Sequence, residues 1–286
     1  MINVLTVHWR TAKWIDVQLD YLRRNIEAPY RVWASLNDID IPGTGDKFHF
    51  ADDLPGTHAE KLNELARIVV DRSDPSDVLM FLDGDAFPIA PLCPWVTNVL
   101  TSYPLAAVRR DENLGDCQPH PCFCITTAGF WEHLGGDWRP GGSWRDTFGE
   151  QRTDVGGILL HQLQHSRTQW LPLVRTNTYN QHPVWFGVYD HRIYHHGAGF
   201  RNLRRSRADT DQAATDGPLA GLTLGQLIHA VRRRPRRLRR VRPRHIYSAI
   251  AKTLMLHRES RYESALFSRL SHDPLFYREF DATGAL

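Results

Sequence analysis

Val78-Leu79-Met80-Phe81-Leu82-Asp83-Gly84-Asp85-Ala86-Phe87-Pro88 is a continuous apolar run that stops in two aspartates separated by one glycine. The run does not alternate, which is the pattern of a parallel strand covered on both faces. Open α/β sheets place ligands outside the carboxyl ends of such strands. Two ionised carboxylates crowded there repel each other, and burying them is costly unless a cation neutralises them. Hard divalent cations such as Mg²⁺ or Mn²⁺ prefer oxygen ligands and keep open positions for water and phosphate. Gly84, having no Cβ, lets backbone and ligand come close. The competing reading of the three residues is a plain Asp-Gly turn at a strand end.

On the amino-terminal side, Ile2 to Trp9 reads as a strand, and Ile15, Leu19, Leu22 and Ile26 recur at helical spacing until Pro29. Arg31 to Leu36 makes a second strand, ending at Asn37-Asp38-Ile39-Asp40. His58 to Val70 carries Leu62, Leu65 and Val69 on one helical face before the next strand begins. This βαβ order implies parallel pairing and brings three polar strand ends to one edge: Thr6/His8, Asp38 and Asp83/Asp85.

Toward the carboxyl end, Pro91 to Tyr103 reads as a helix, and Ala106 to Val108 and Cys122 to Thr127 as strands. Gly135 to Gly149, rich in glycine, tryptophan and arginine, reads as an ordered loop or long connector. Asp154 precedes a helix over Val155 to Leu163, close to its amino-terminal end, where Asp readily serves as an N-cap. Leu171 to Asn177 and Arg192 to His195 read as late strands, the second closing in His195-His196-Gly197. Residues 206–218 read as a linker, Leu219 to Val231 as a short helix and Tyr247 to Leu270 as a helix. The expected division is therefore 1–205 as an α/β domain and 206–286 as a helical basic extension.

With Asp83-Gly84-Asp85 closing a strand after an amino-terminal βαβ unit, the chain resembles the GT-A class of nucleotide-sugar-dependent glycosyltransferases over roughly residues 1 to 205. The resemblance implies a Rossmann-like, mostly parallel central sheet with flanking helices, and a DxD motif binding Mn²⁺ or Mg²⁺ together with the donor diphosphate. Carried over, Asp85 would be the principal metal ligand, and Asp83 would contact metal, donor ribose or both. His195 or His196 would complete the metal site, with the glycine after the pair favouring His196. Thr6, His8 and Asp38 would line the base and ribose pocket. His58 and Lys61, one helical turn apart, would reach the nucleoside diphosphate. Asp154 would take the acceptor proton, with Glu150 and Asp146 behind it. Trp131, Trp138, Trp144 and Trp185 would offer flat faces to the acceptor where they are not simply core or rim, Asp111, Glu112, His120 and Arg145 would hydrogen-bond its hydroxyls, and Arg201 would meet the departing diphosphate. The implied partners are a nucleoside diphosphate sugar, a UDP-sugar by class frequency, and the hydroxyl of a glycan, lipid-linked or small-molecule acceptor.

The 286 residues are 42% hydrophobic, enough for one large core. No apolar run approaches a membrane span, and the amino terminus reads as a strand, which points to a cytoplasmic protein. Cys93, Cys117, Cys122 and Cys124 do not form a disulfide framework, and His120 to Cys124 lacks the spacing of a structural zinc site. The formal charge of +3 hides an asymmetry: removing the nine arginines between Arg232 and Arg244 leaves −6. That run suits an anionic membrane surface, an anionic glycan or a solvated face. No aromatic interleaving accompanies it, which argues against nucleic acid. Two rival functions remain at this stage: a nucleotidyltransferase using the same aspartates, and a non-catalytic polybasic adaptor. The first would favour a glycine-rich loop after the first strand, where His8-Trp9-Arg10-Thr11 has no glycine.

Overall fold

The computed structural model describes residues 1–39, 41–111, 113, 115–146, 149–177, 187–197 and 267–273. β1 (Ile2–Trp9) leads into α1 (Ile15–Asn25), β2 (Tyr30–Asn37), β3 (Phe50–Asp52), α2 (His58–Val70) and β4 (Val78–Asp83). β5 (Ala86–Pro88), α3 (Cys93–Ser102), β6 (Leu105–Arg109), β7 (Pro119–Thr127) and α4 (Ala128–Leu134) follow. The chain continues with β8 (Trp144–Arg145), β9 (Gln151–Arg152), α5 (Gly157–His165), β10 (Leu171–Leu173), β11 (Gly187–Tyr189) and β12 (Ile193–His195). All these elements lie in one compact unit. In the second unit, 182–184 with 201–276, the described residues are 267–273, helical over 267–272. The proposed linker, the 219–231 helix, the Arg232 to Arg244 run and most of the Tyr247 to Leu270 helix lie outside the described residues, as do Glu112, Trp185 and Arg201.

The main sheet has the order β10-β6-β7-β4-β1-β2-β3. β1 pairs in parallel with β2 and β4, β2 with β3, and β10 with β6. Only β7 runs antiparallel, between β4 and β6. The expected architecture, a mostly parallel α/β sheet with flanking helices, is the one observed. β1 and β4 are central, and their apolar runs are buried on both faces. Ile2 and Val4 pack with Ile15 and Leu22 of α1, while Leu5 and Val7 pack with Leu62, Leu65 and Val69 of α2. Phe81, fully buried, lies 4.7 Å from the Trp131 ring and 5.2 Å from that of Trp138. A fully buried aromatic of this kind contributes on the order of 2–3 kcal/mol. Trp131 and Trp138 are therefore core residues, not sugar-stacking faces.

α2 begins where the sequence indicates because Thr57 and Glu60 form a capping box: Thr57 Oγ1 accepts from the Glu60 amide, and Glu60 Oε2 accepts from the Thr57 amide at 2.7 Å. β7 is longer than the expected strand, because its register against β6 jumps from Ala107↔Cys124 to Val108↔His120. The extra residues bulge, and a bulge re-aims side chains. β3, β5 and β11, each three residues long, are too short for the periodicity to register. β5 and β11 flank β12 in a small antiparallel sheet. Among the described residues no helix is long and apolar enough to cross a membrane.

Candidate active site

β4 presents Asp83 at its last position, and the chain turns through Gly84 and Asp85 into β5. β5 pairs antiparallel with β12 in a register that sets His195 opposite Ala86. The ladder is extended by the His196 amide, which donates to the Asp85 carbonyl at 3.0 Å. His195 Nε2 consequently lies 3.4 Å from Asp83 Oδ2 and 3.6 Å from Asp85 Oδ1. One ligand atom from each of Asp83, Asp85 and His195 falls within 4.8 Å of the other two. Two carboxylates and one imidazole suit Mn²⁺ or Mg²⁺, the nitrogen favouring the transition metal. The cluster is the one group of this kind among the described residues.

Burial works against a charge on Asp83, and His58 and His195 outweigh it, holding the carboxyl well below its usual range. Burial likewise opposes a charge on His195, which Cys122, Asp83 and Asp85 overcome, raising the imidazole well above its ordinary value. His58 is the first residue of α2, and its Nε2 lies 3.1 Å from Asp83 Oδ1. The amino-terminal end of a helix carries partial positive charge, so α2 adds to this compensation. Lys61, one turn further along, is half-buried.

His196 goes elsewhere. It is fully buried, its Nδ1 is 2.9 Å from the Tyr194 hydroxyl, and its ring packs 4.4 Å from that of Trp14. Strand alternation explains the choice: successive side chains point to opposite faces, so only one histidine of the pair can meet the aspartates. The expectations for Thr6 and His8 are also corrected. Both are fully buried, on the face of β1 that α1 covers, and neither exposes an atom to the crevice. His8 Nε2 lies 3.1 Å from Gln18 Oε1, and Gln18 Nε2 donates to the carbonyls of Asp83 and Ala86, each at 2.8 Å. Burial outweighs the Gln18 bond and pushes the His8 pKa down to about 4. Asp38, by contrast, is exposed at the end of β2 with a left-handed φ of 54°, its carboxylate 3.6 Å from Arg10.

Asp154 is not an N-cap. The cap of α5 is Gly156, at φ 91°, where a Cβ would collide with the Pro119 carbonyl. That contact fixes the start of α5 against the start of β7 and sets Asp154 beside β6. Asp154 Oδ1 accepts from the Val155 amide at 2.8 Å, and Oδ2 accepts from Arg110 at 2.7 Å. Arg110 also donates to Asp116 at 2.9 Å. Asp146 and Glu150 instead tie the β8–β9 hairpin through Arg152. His120 lies with its ring 6.0 Å from that of His195, and its Nδ1 accepts from the Cys122 amide. Burial and Arg110 hold its pKa well below the ordinary value, so it is neutral with the proton on Nε2. Arg145 reaches the Gly149 carbonyl and Asp111 pairs with Arg109. Sequence reading missed Gln18 and Arg110: the former is a polar residue on a buried helix face, and the latter sits at the end of a short strand.

No family model and no curated protein matches the chain. Solved structures do. The mannosyltransferase PcManGT from Pyrobaculum calidifontis, in complex with GDP-Man and Mn²⁺, is 12% identical over 100% of this chain and 76% of its own, with a TM-score of 0.41. A protein assigned as a nucleotide-diphospho-sugar transferase from Desulfovibrio desulfuricans G20 is 16% identical over 60% of this chain and 79% of its own, TM-score 0.40. TarS from S. aureus is 10% identical over 48% of this chain, which spans 30% of the TarS chain, TM-score 0.35. The arrangement that the GT-A resemblance implies, a βαβ unit, an acidic pair ending β4 and a late histidine beside it, is present in this chain.

Proposed function

We propose that the chain is a divalent-metal-dependent glycosyltransferase, moving a sugar from a nucleoside diphosphate donor to an acceptor hydroxyl. The observation that carries this reading is the Asp83–Asp85–His195 cluster at the carboxyl edge of a parallel strand, where two carboxylates converge and imidazoles face them. In this reading Asp83, Asp85 and His195 hold Mn²⁺ or Mg²⁺, with Asp83 also meeting the donor ribose. When bound, the cation would neutralise charge on the departing diphosphate. His58 and Lys61, at the start of α2, face the diphosphate from the positive end of that helix. Asp38 and Arg10, exposed at the neighbouring strand ends, flank the nucleoside. Asp154, 39% exposed and oriented by Arg110, takes the acceptor proton. The Arg232 to Arg244 run enters no step.

The test is calorimetric titration of UDP, GDP and CDP, with UDP first, in the presence and absence of Mn²⁺, on the wild-type chain and on Asp85→Ala. Metal-dependent binding of one nucleotide, lost on substitution, is the expected result and identifies the base. Nucleotide binding that is indifferent to both metal and Asp85 would overturn the metal-dependent reading.

A further inference from the structure

Gln18 is a fully buried amide in the first turn of α1, at a position that Leu or Met could fill with equal helix propensity. Burying an amide costs several kcal/mol unless its hydrogen bonds are made, so an amide here calls for partners. They are specific. The Asp83 and Ala86 carbonyls bracket Gly84 and Asp85, and both accept from the same Gln18 Nε2. Two carbonyls cannot donate, which fixes the orientation of the amide. Its Oε1 must then face His8, and His8 must present Nε2–H to it. A side chain on the helix thus clasps both ends of the turn that separates the two aspartates, and β1 holds the clasp in register.

We propose that Gln18, oriented by His8, is a positioning residue for the metal site: it sets the Asp83–Asp85 spacing, and hence the affinity for the cation, without touching cation or substrate. This inference rests on the metal-site reading above. Groups that orient ligands in this way are worth about 10- to 100-fold in metal affinity.

The experiment measures Mn²⁺ binding by electron paramagnetic resonance of the free ion, alone and with saturating UDP or GDP. It compares the full wild-type chain with Gln18→Met, His8→Phe and Val99→Ala. The last variant, on α3, is a destabilised control with its change away from the turn. Gln18→Met should weaken Mn²⁺ binding by about 10- to 100-fold. His8→Phe leaves the amide in place and should weaken binding less, whereas Val99→Ala should bind as the wild type does at a lowered Tm. Should Gln18→Met not fold, His8→Phe decides the matter. Wild-type affinity in Gln18→Met, or in His8→Phe where that variant decides, would overturn the positioning role while leaving the metal site intact. Equal losses in Val99→Ala would reduce the effect to general stability and overturn it as well. Absence of Mn²⁺ binding in the wild type, by contrast, would bring down the metal-site reading itself.

Discussion

Two pairs of carboxylates flank this site and are satisfied in opposite ways. Asp116 and Asp154 share one guanidinium, that of Arg110, at 2.9 and 2.7 Å. Among the described residues, Asp83 and Asp85 face the imidazole of His195, with His58 beyond Asp83. An arginine is permanently charged, so the first pair carries its own cation and keeps one geometry. The second pair has a partner that can give up its proton and become a metal ligand. The difference separates an ion pair that carries a fixed counter-charge from a cluster whose histidine can release its proton, as the proposed metal site requires. His120, on which both Arg110 and Asp83 act, stands between the two.

The largest expected effect tests whether the Arg110-held pair does chemistry as well as shaping. Asp154→Asn keeps an oxygen that can accept from Arg110, so the fold and the metal-dependent nucleotide binding should persist. Turnover, measured with the donor and acceptor found by screening, should fall about a thousandfold if the carboxylate takes the acceptor proton. An unchanged kcat would confine Asp154 to the ion pair. The next effect is on stability. Arg110→Met removes the cation from Asp116, whose side chain is 1% exposed and whose carboxyl burial already pushes up, leaving it unpaired in the interior. Breaking one side of such a pair costs about 3–5 kcal/mol, and urea denaturation at pH 7 should show a loss of that size. A loss below about 1 kcal/mol, the range of surface pairs, would mean that the two aspartates are not held by Arg110 in solution.

The same contrast explains what could be read from the sequence. The Asp83–Asp85 side of the site rests on long elements with clear signals: uninterrupted apolar strands, a helix opened by a capping box at Thr57, and Asp83-Gly84-Asp85 at a strand end. Their positions followed from periodicity and parallel pairing. The third member of the cluster did not, because His195 ends β12 and His196 follows it, so that they differ only in the face to which each side chain points. Three-residue β5 and β12 carry too little pattern to fix that face. Thr6 and His8 misled for a related reason: a polar residue near a strand's carboxyl end can face the crevice or the covering helix, and here α1 covers it. Gln18 was invisible for the converse reason, being polar on a face whose apolar neighbours define the helix. The Arg110–Asp154 contact spans 44 positions and depends on Gly156 abutting Pro119, a packing event that no local pattern encodes.

His8 offers the smallest of these tests and the one that isolates the interior clasp from the carboxylates around it. Its pKa is about 4 in the folded chain, against an ordinary value of 6.5, chiefly because the ring is buried. Below pH 6.5 the unfolded chain therefore takes up a proton that the folded chain refuses until about pH 4. Stability must fall as pH drops through that window and level off beneath it. At 1.36 kcal/mol per unit the contribution amounts to about 3 kcal/mol. Carboxylates lose stability at overlapping pH, so the wild-type curve alone does not resolve it. The difference between wild type and His8→Phe does, since every other titrating group is common to both. That difference, from urea denaturation at pH 7, 6, 5 and 4, should shift in favour of the variant by about 3 kcal/mol as pH falls. A difference that stays constant would mean that His8 charges in place. Its Nε2–H would then no longer define the tautomer on which the orientation of Gln18 depends.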